Sequence, residues 1–170
     1  MSEVIFVLEH IWTPWRMEYI QDHSEEEGCI FCLAVEAEDN GKNLVFYRGE
    51  LVFMILNRYP YTSGHIMCVP YAHKNHLQDL ARETRTEMMD LVSKSLEVLQ
   101  SIYHPDGFNV GLNLGKLAGA GITAHLHMHI VPRWGGDTNF ISTIGHTRVL
   151  PESLKDTYHR VKDVWNNFDV

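Results

Sequence analysis

The sequence predicts an α+β fold, a single antiparallel sheet of about five strands with two main helices. Three observations carry this expectation. Short apolar segments recur between Leu44 and Pro132, separated by turns marked by glycine and proline. Most connections between them are hairpin-like. Leu80–Tyr103 and Pro151–Val164 read as helices.

Residues 1–43 are mixed. Trp12-Thr13-Pro14-Trp15-Arg16 reads as a docked aromatic loop entering a short helix at Met17–Gln21. Ser24–Gly28 is an acidic turn, and Glu36–Lys42 is polar and reads as a loop. Leu44–Arg48 and Leu51–Leu56 flank Gly49-Glu50, a two-strand hairpin signature. Asn57–Gly64 is a loop punctuated by Pro60 and Gly64, and His65–Val69 is a third strand stopped by Pro70.

In Leu80–Tyr103, residues Met88, Leu91, Val92, Ser95, Leu96 and Leu99 recur at steps of three or four, which forms one apolar stripe. Asp106-Gly107 ends that helix. Phe108–Leu114 alternates as a strand, and Gly115–Gly121 is a loop of small residues. His125–Pro132 is the fifth strand, and Pro151 opens the second helix. Trp165 and Cys68 are expected in the core.

The 170 residues suit one compact domain, and 45% of them are apolar, enough to fill one core. No run of about 18 apolar residues exists, so no membrane-spanning helix is expected. The first residues carry no signal-peptide pattern, so the expected location is cytoplasmic. The formal net charge of −8 argues against non-specific binding of a nucleic-acid backbone, which needs clustered Lys and Arg. A small phosphorylated ligand remains compatible, because backbone N–H groups and a few side chains can hold it.

Histidine is over-represented: seven of the 11 fall within residues 65–76 and 125–146. In His125-Leu126-His127-Met128-His129 the alternation of a strand puts the three imidazoles on one face, about 6.5–7 Å apart, and Leu126, Met128 and Ile130 on the other. Three histidines at period two suit either a metal site or nucleophilic catalysis by one imidazole. Cys29-Ile30-Phe31-Cys32 is half of a zinc site, with a redox pair as the rival reading.

His-Leu-His-Met-His-Ile-Val resembles the signature of the histidine triad (HIT) superfamily. The resemblance extends through Leu56–Pro60, Ser63-Gly64-His65, Val69-Pro70, Phe108–Asn113 and Val131–Trp134. Trp12–Arg16, Asn109–Asn113 and Arg133–Phe140 look most like the bacterial diadenosine tetraphosphate phosphorylase branch.

The resemblance implies that residues 1–170 form one HIT domain with residues 1–43 as an N-terminal extension. It implies a homodimer that binds a small nucleotide substrate. His127 then becomes the nucleophile, forming a covalent nucleotidyl-histidine, with His129 supporting the phosphate or leaving group. Asn57 matches a ribose contact, and Asn113 and His65 match positions near the phosphates. The expected reaction is phosphorolysis of diadenosine tetraphosphate to ADP and ATP. The alternatives are a hydrolase of dinucleoside polyphosphates or nucleoside phosphoramidates, and a zinc-stabilised nucleotide-binding module without turnover.

One position departs from the hydrolase pattern. Gly121 stands where many hydrolase members carry a glutamine, so Thr123, Lys116 or backbone N–H groups are expected to serve the α-phosphate. In zinc-carrying members the remaining two metal ligands come from the segment after the Val-Pro turn and from the first triad histidine. That implies Cys29, Cys32, His73 and His125 as the zinc set, with His76 as the rival to His73.

Overall fold

The computed structural model describes residues 28–37, 41–137 and 151–168. The expected aromatic loop at Trp12–Arg16, the helix at Met17–Gln21 and residues 138–140 lie outside them.

Five strands form one sheet: β1 (Val45–Arg48), β2 (Val52–Leu56), β3 (Ile66–Pro70), β4 (Gly107–Leu112) and β5 (Met128–Arg133). Their spatial order is β1-β2-β3-β5-β4, and every neighbouring pair is antiparallel. Among the described residues three α-helices accompany the sheet: α1 (Ile30–Glu36), α2 (Arg82–Tyr103) and α3 (Leu154–Asn167). The expected α+β class and antiparallel sheet are therefore observed.

Alternation sorts the apolar residues onto two faces. Val52, Met54 and Leu56 of β2, Ile66 and Cys68 of β3 and Met128 and Ile130 of β5 pack with α2 and α3 in the main core. Their alternates Phe53, Ile55, Met67 and Val69 join Phe31 of α1 in a second cluster on the opposite face. This double burial explains why β2 and β3 read as continuous apolar runs. Trp165 of α3 is buried against Phe46 and Tyr47, and Cys68 is buried with its thiol pushed up to about 12 by burial.

The β1–β2 hairpin forms where Gly49-Glu50 predicted it. Its turn is fastened by Glu87 of α2, whose carboxylate accepts the N–H groups of Glu50 and Leu51 at 2.9 and 2.8 Å. The loop between β2 and β3 is tied to β5 by Thr62, which donates Oγ1–H to the Pro132 carbonyl at 2.9 Å.

Four expectations need correction. The segment around the cysteine pair is a helix, α1, and not unassigned chain; Cys29 is its N-cap. β4 stops at Leu112 instead of Leu114. The fifth strand starts at Met128, not His125. On both sides its ladders end at Met128, opposite Cys68 and Leu112. Before it, the N–H of Leu126 goes to the Lys74 carbonyl at 2.7 Å. The last helix begins after Pro151, because Ser153 caps it by accepting the Asp156 N–H at 3.2 Å.

Candidate functional site

β3 and β5 place the histidines on the face opposite the long helices. Met67 pairs with His129, so His129 shares the face of Met67 and Val69, while Leu126, Met128 and Ile130 turn into the main core as the alternation predicted. His125 and His127 precede the strand. His127 and His129 meet edge-on, with ring centroids 5.0 Å apart. His125 turns the other way, toward the cysteines.

Backbone carbonyls set the tautomers of two of the rings. His125 Nε2 lies 2.8 Å from the Pro70 carbonyl, which can only accept, so the proton sits on Nε2 and the Nδ1 lone pair faces outward. That Nδ1 is 3.3 Å from Cys29 Sγ and 3.7 Å from Cys32 Sγ. His127 Nδ1 lies 2.9 Å from the His125 carbonyl and must donate. The lone pair of a neutral His127 is therefore on Nε2.

A third chain of bonds ends at His129. The Tyr61 N–H donates to His65 Nδ1 at 3.1 Å, leaving the His65 proton on Nε2. His65 Nε2 donates in turn to His129 Nδ1 at 2.9 Å. The remaining proton of a neutral His129 is then on Nε2. Burial pushes the His65 imidazole well below its ordinary value, and His129 and His127 push it the same way, so His65 is the neutral form this chain requires. Burial also lowers His127, outweighing its bond to the His125 carbonyl.

Asn57 lies beside His65, with Nδ2 at 3.4 and 3.3 Å from the two ring nitrogens. Its Oδ1 accepts the Tyr59 N–H at 2.9 Å, which bends the chain after β2. Asn113 follows the end of β4 and is half-buried, with no side-chain hydrogen bond among the described residues. Lys116, Gly121 and Thr123 lie on the exposed β4–β5 loop, Lys116 in its short 3-10 turn. Arg133 donates to Asp137 and to Asn109 Oδ1, the latter at 2.6 Å, bracing the end of β5 against β4.

The second constellation adjoins the first. Ligand atoms of Cys29, Cys32, His73 and His125 all lie within 4.8 Å of one another. His73 Nδ1 is 3.3 Å from Cys32 Sγ, whereas His76 stands outside the group at the start of the next 3-10 turn. Between the two sequence-based candidates the geometry selects His73. Two thiols and two imidazole nitrogens converging at this spacing are a donor set that fits a tetrahedral metal. Burial raises the Cys29 thiol, but its side-chain contact with His125 and hydrogen bonds from the backbone N–H groups of Cys32 and Phe31 outweigh it and bring it to about 6. Burial and the neighbouring Cys29 raise Cys32.

Sequence reasoning missed two participants. The Pro70 carbonyl fixes the His125 tautomer, but its only advance signal was a Val-Pro strand end. Phe31, buried between the cysteines, lies 5.4 Å from His125 and 5.0 Å from His127 between ring centroids. The Cys-Ile-Phe-Cys run names that residue but does not say where the ring points.

Known proteins are similar to this chain in sequence and fold. The AP-4-A phosphorylase of Mycobacterium tuberculosis is 41% identical over 166 residues, spanning 93% of this chain and 85% of that protein. Protein hit of Bacillus subtilis is 29% identical over 114 residues, 67% of this chain and 77% of its own. Among solved structures, a Zn-bound histidine triad family protein from Mycobacterium smegmatis superimposes with a TM-score of 0.66 at 27% identity, covering 82% of this chain and 94% of that one. A hypothetical histidine triad nucleotide-binding protein from Sulfolobus tokodaii gives 0.64 at 26% identity, covering 82% and 93%. The HIT domain family matches residues 38–136, more than half the chain and the stretch that holds Asn57, His65 and all three triad histidines. On that match the chain belongs to the HIT family.

Proposed function

We propose that the protein is a nucleotidyltransferase that phosphorolyses diadenosine tetraphosphate, with His127 as the nucleophile. The observation that carries this reading is the tautomer of His127: its Nδ1–H is committed to the His125 carbonyl, so Nε2 holds the attacking lone pair. The 41% identity to an AP-4-A phosphorylase over most of both chains supports the choice of substrate.

In the first half-reaction His127 Nε2 forms a bond to the α-phosphorus of the substrate. The bond from that phosphorus to the bridging oxygen breaks, and ATP leaves. His129 Nε2–H stands ready to donate to the leaving oxygen, with its tautomer held by His65 and Tyr61. In the second half an oxygen of inorganic phosphate attacks the adenylyl-His127, the phosphorus–nitrogen bond breaks, and ADP forms. His127 recovers its lone pair. Asn57 is assigned to the ribose, and Asn113, Lys116, Thr123 and the backbone at Gly121 to the phosphates.

We assign zinc to Cys29, Cys32, His73 and His125. Four protein ligands close a tetrahedral site and leave no position for water, so the ion's part is structural. It would tie α1 and the chain after β3 to the triad. The Zn-bound relative supports this choice.

A homodimer is the proposed assembly, formed through β4. That strand ends the sheet, and Val110 within it and Leu114 just past its end are exposed large apolar residues.

The test is incubation with diadenosine tetraphosphate, with and without inorganic phosphate, followed by nucleotide analysis. ADP plus ATP, formed only with phosphate, is the expected result. AMP plus ATP without phosphate would make the protein a hydrolase. Binding without products would leave it a nucleotide-binding module.

A further inference from the structure

Phe31 belongs neither to the triad nor to the metal set, yet it touches both. It lies between Cys29 and Cys32 in the first turn of α1, and its side chain is buried. Its ring is tilted 42° to that of His127 at 5.0 Å and stands edge-on to that of His125 at 5.4 Å. His129 makes the other aromatic contact with His127, also at 5.0 Å. Among the described residues the His127 ring therefore has two aromatic neighbours and one hydrogen bond, to the carbonyl two residues earlier. One hydrogen bond is a weak restraint on this ring, because rotation about the bond joining an imidazole to its methylene is broad.

We propose that Phe31 is a positioning residue for His127: the cysteines on either side of it hold its ring against the imidazole, which keeps Nδ1–H on the His125 carbonyl and Nε2 available for attack. The inference rests on the reading of His127 as nucleophile and deepens it. It also gives the cysteine pair a part in the site. α1 is only 7 residues long. Such a helix is marginal by itself. Its first turn is held instead by contacts of Cys29 and Cys32 with His125 and His73. The same residue, His125, thus receives the cysteines on its ring and His127 on its carbonyl.

The experiment compares the wild-type protein with Phe31→Ala, both loaded with zinc and labelled with ¹⁵N-histidine. Imidazole ¹⁵N spectra of the wild type should show His127 as the Nδ1–H tautomer, and those of Phe31→Ala a tautomer average, at equal metal content. In single-turnover measurements with diadenosine tetraphosphate the alanine variant should form nucleotidyl-enzyme about 100-fold more slowly, while ADP binds nearly as in the wild type. Phe31→Leu keeps apolar bulk at the position and should show both effects in reduced size. If the alanine variant does not fold, the leucine variant decides the question.

An unchanged His127 spectrum in folded Phe31→Ala or Phe31→Leu would overturn the proposal. So would a rate loss that merely follows lost metal or lost folded protein. The spectral comparison needs no substrate. A wild type that forms no nucleotidyl-enzyme would therefore defeat the proposed function and still leave the Phe31 comparison decisive.

Discussion

Three residues show how the site is held by backbone groups. Pro70 and His125 offer carbonyls that can only accept, and Tyr61 offers an N–H that can only donate. Each fixes one imidazole: His125 with Nδ1 toward the cysteines, His127 with its lone pair on Nε2, and His65 with Nε2–H on His129. Replacing His127 by Asn should lower turnover by about 10⁴-fold or more while leaving the far-UV spectrum and melting cooperativity intact, as is usual for loss of a covalent nucleophile. A variant retaining a tenth of the activity would sink the nucleophile assignment. His65 makes a pH prediction. Its ordinary value is 6.5 and burial holds it well below that in the folded protein. Above about pH 6.5 both folded and unfolded chains carry it neutral. As the pH falls below that, the unfolded chain takes up a proton that the folded one refuses, so stability declines toward the folded value and then levels. Urea melts at about pH 7 and about pH 5 should show this loss, and His65→Gln should reduce the slope by up to about 1.4 kcal/mol per pH unit. An identical slope in both proteins would contradict the assignment.

At the scale of elements, legibility followed locality. The alternation in His125–Ile130 was readable because period two survives two residues ahead of the strand's start: Leu126, Met128 and Ile130 all reach the core. The start of β5 was not readable, since it depends on where β3 and β4 stop pairing. α1 was missed for a related reason. Its fastenings are tertiary: Arg48 donates to the Val35 carbonyl at 3.0 Å, Asn43 to that of Ala34 at 3.0 Å, and the cysteines meet distant histidines. Gly64, by contrast, was flagged by sequence as a turn and has a specific reason to be glycine. Its φ is +75°, and a Cβ would lie 2.8 Å from the Tyr103 ring. That ring is anchored through its hydroxyl to Glu152 at 2.7 Å. Gly64→Ala should cost about 1–3 kcal/mol in denaturant melts, and a neutral result would mean that Tyr103 moves freely.

For the whole molecule, the sheet separates two tasks. One face holds α2, α3 and the main core; the other holds α1, the cysteine–histidine cluster and the triad. Among the described residues no helix is long and apolar enough to cross a membrane. Removing metal should therefore loosen the site face first. A chelator-treated sample is expected to melt several degrees lower and to lose turnover before it loses the helical signal of α2 and α3. Equal melting with and without metal would argue against a structural ion. The central claim is the covalent link at His127, and direct detection tests it best. The protein is mixed with diadenosine tetraphosphate in the absence of phosphate, quenched in alkali where a phosphoramidate survives, digested and analysed by mass spectrometry. One adenylyl group on the peptide containing His127, discharged as ADP when phosphate is added before the quench, is the predicted result. An unmodified His127 peptide during steady turnover, or the adenylyl group on another residue, would contradict it.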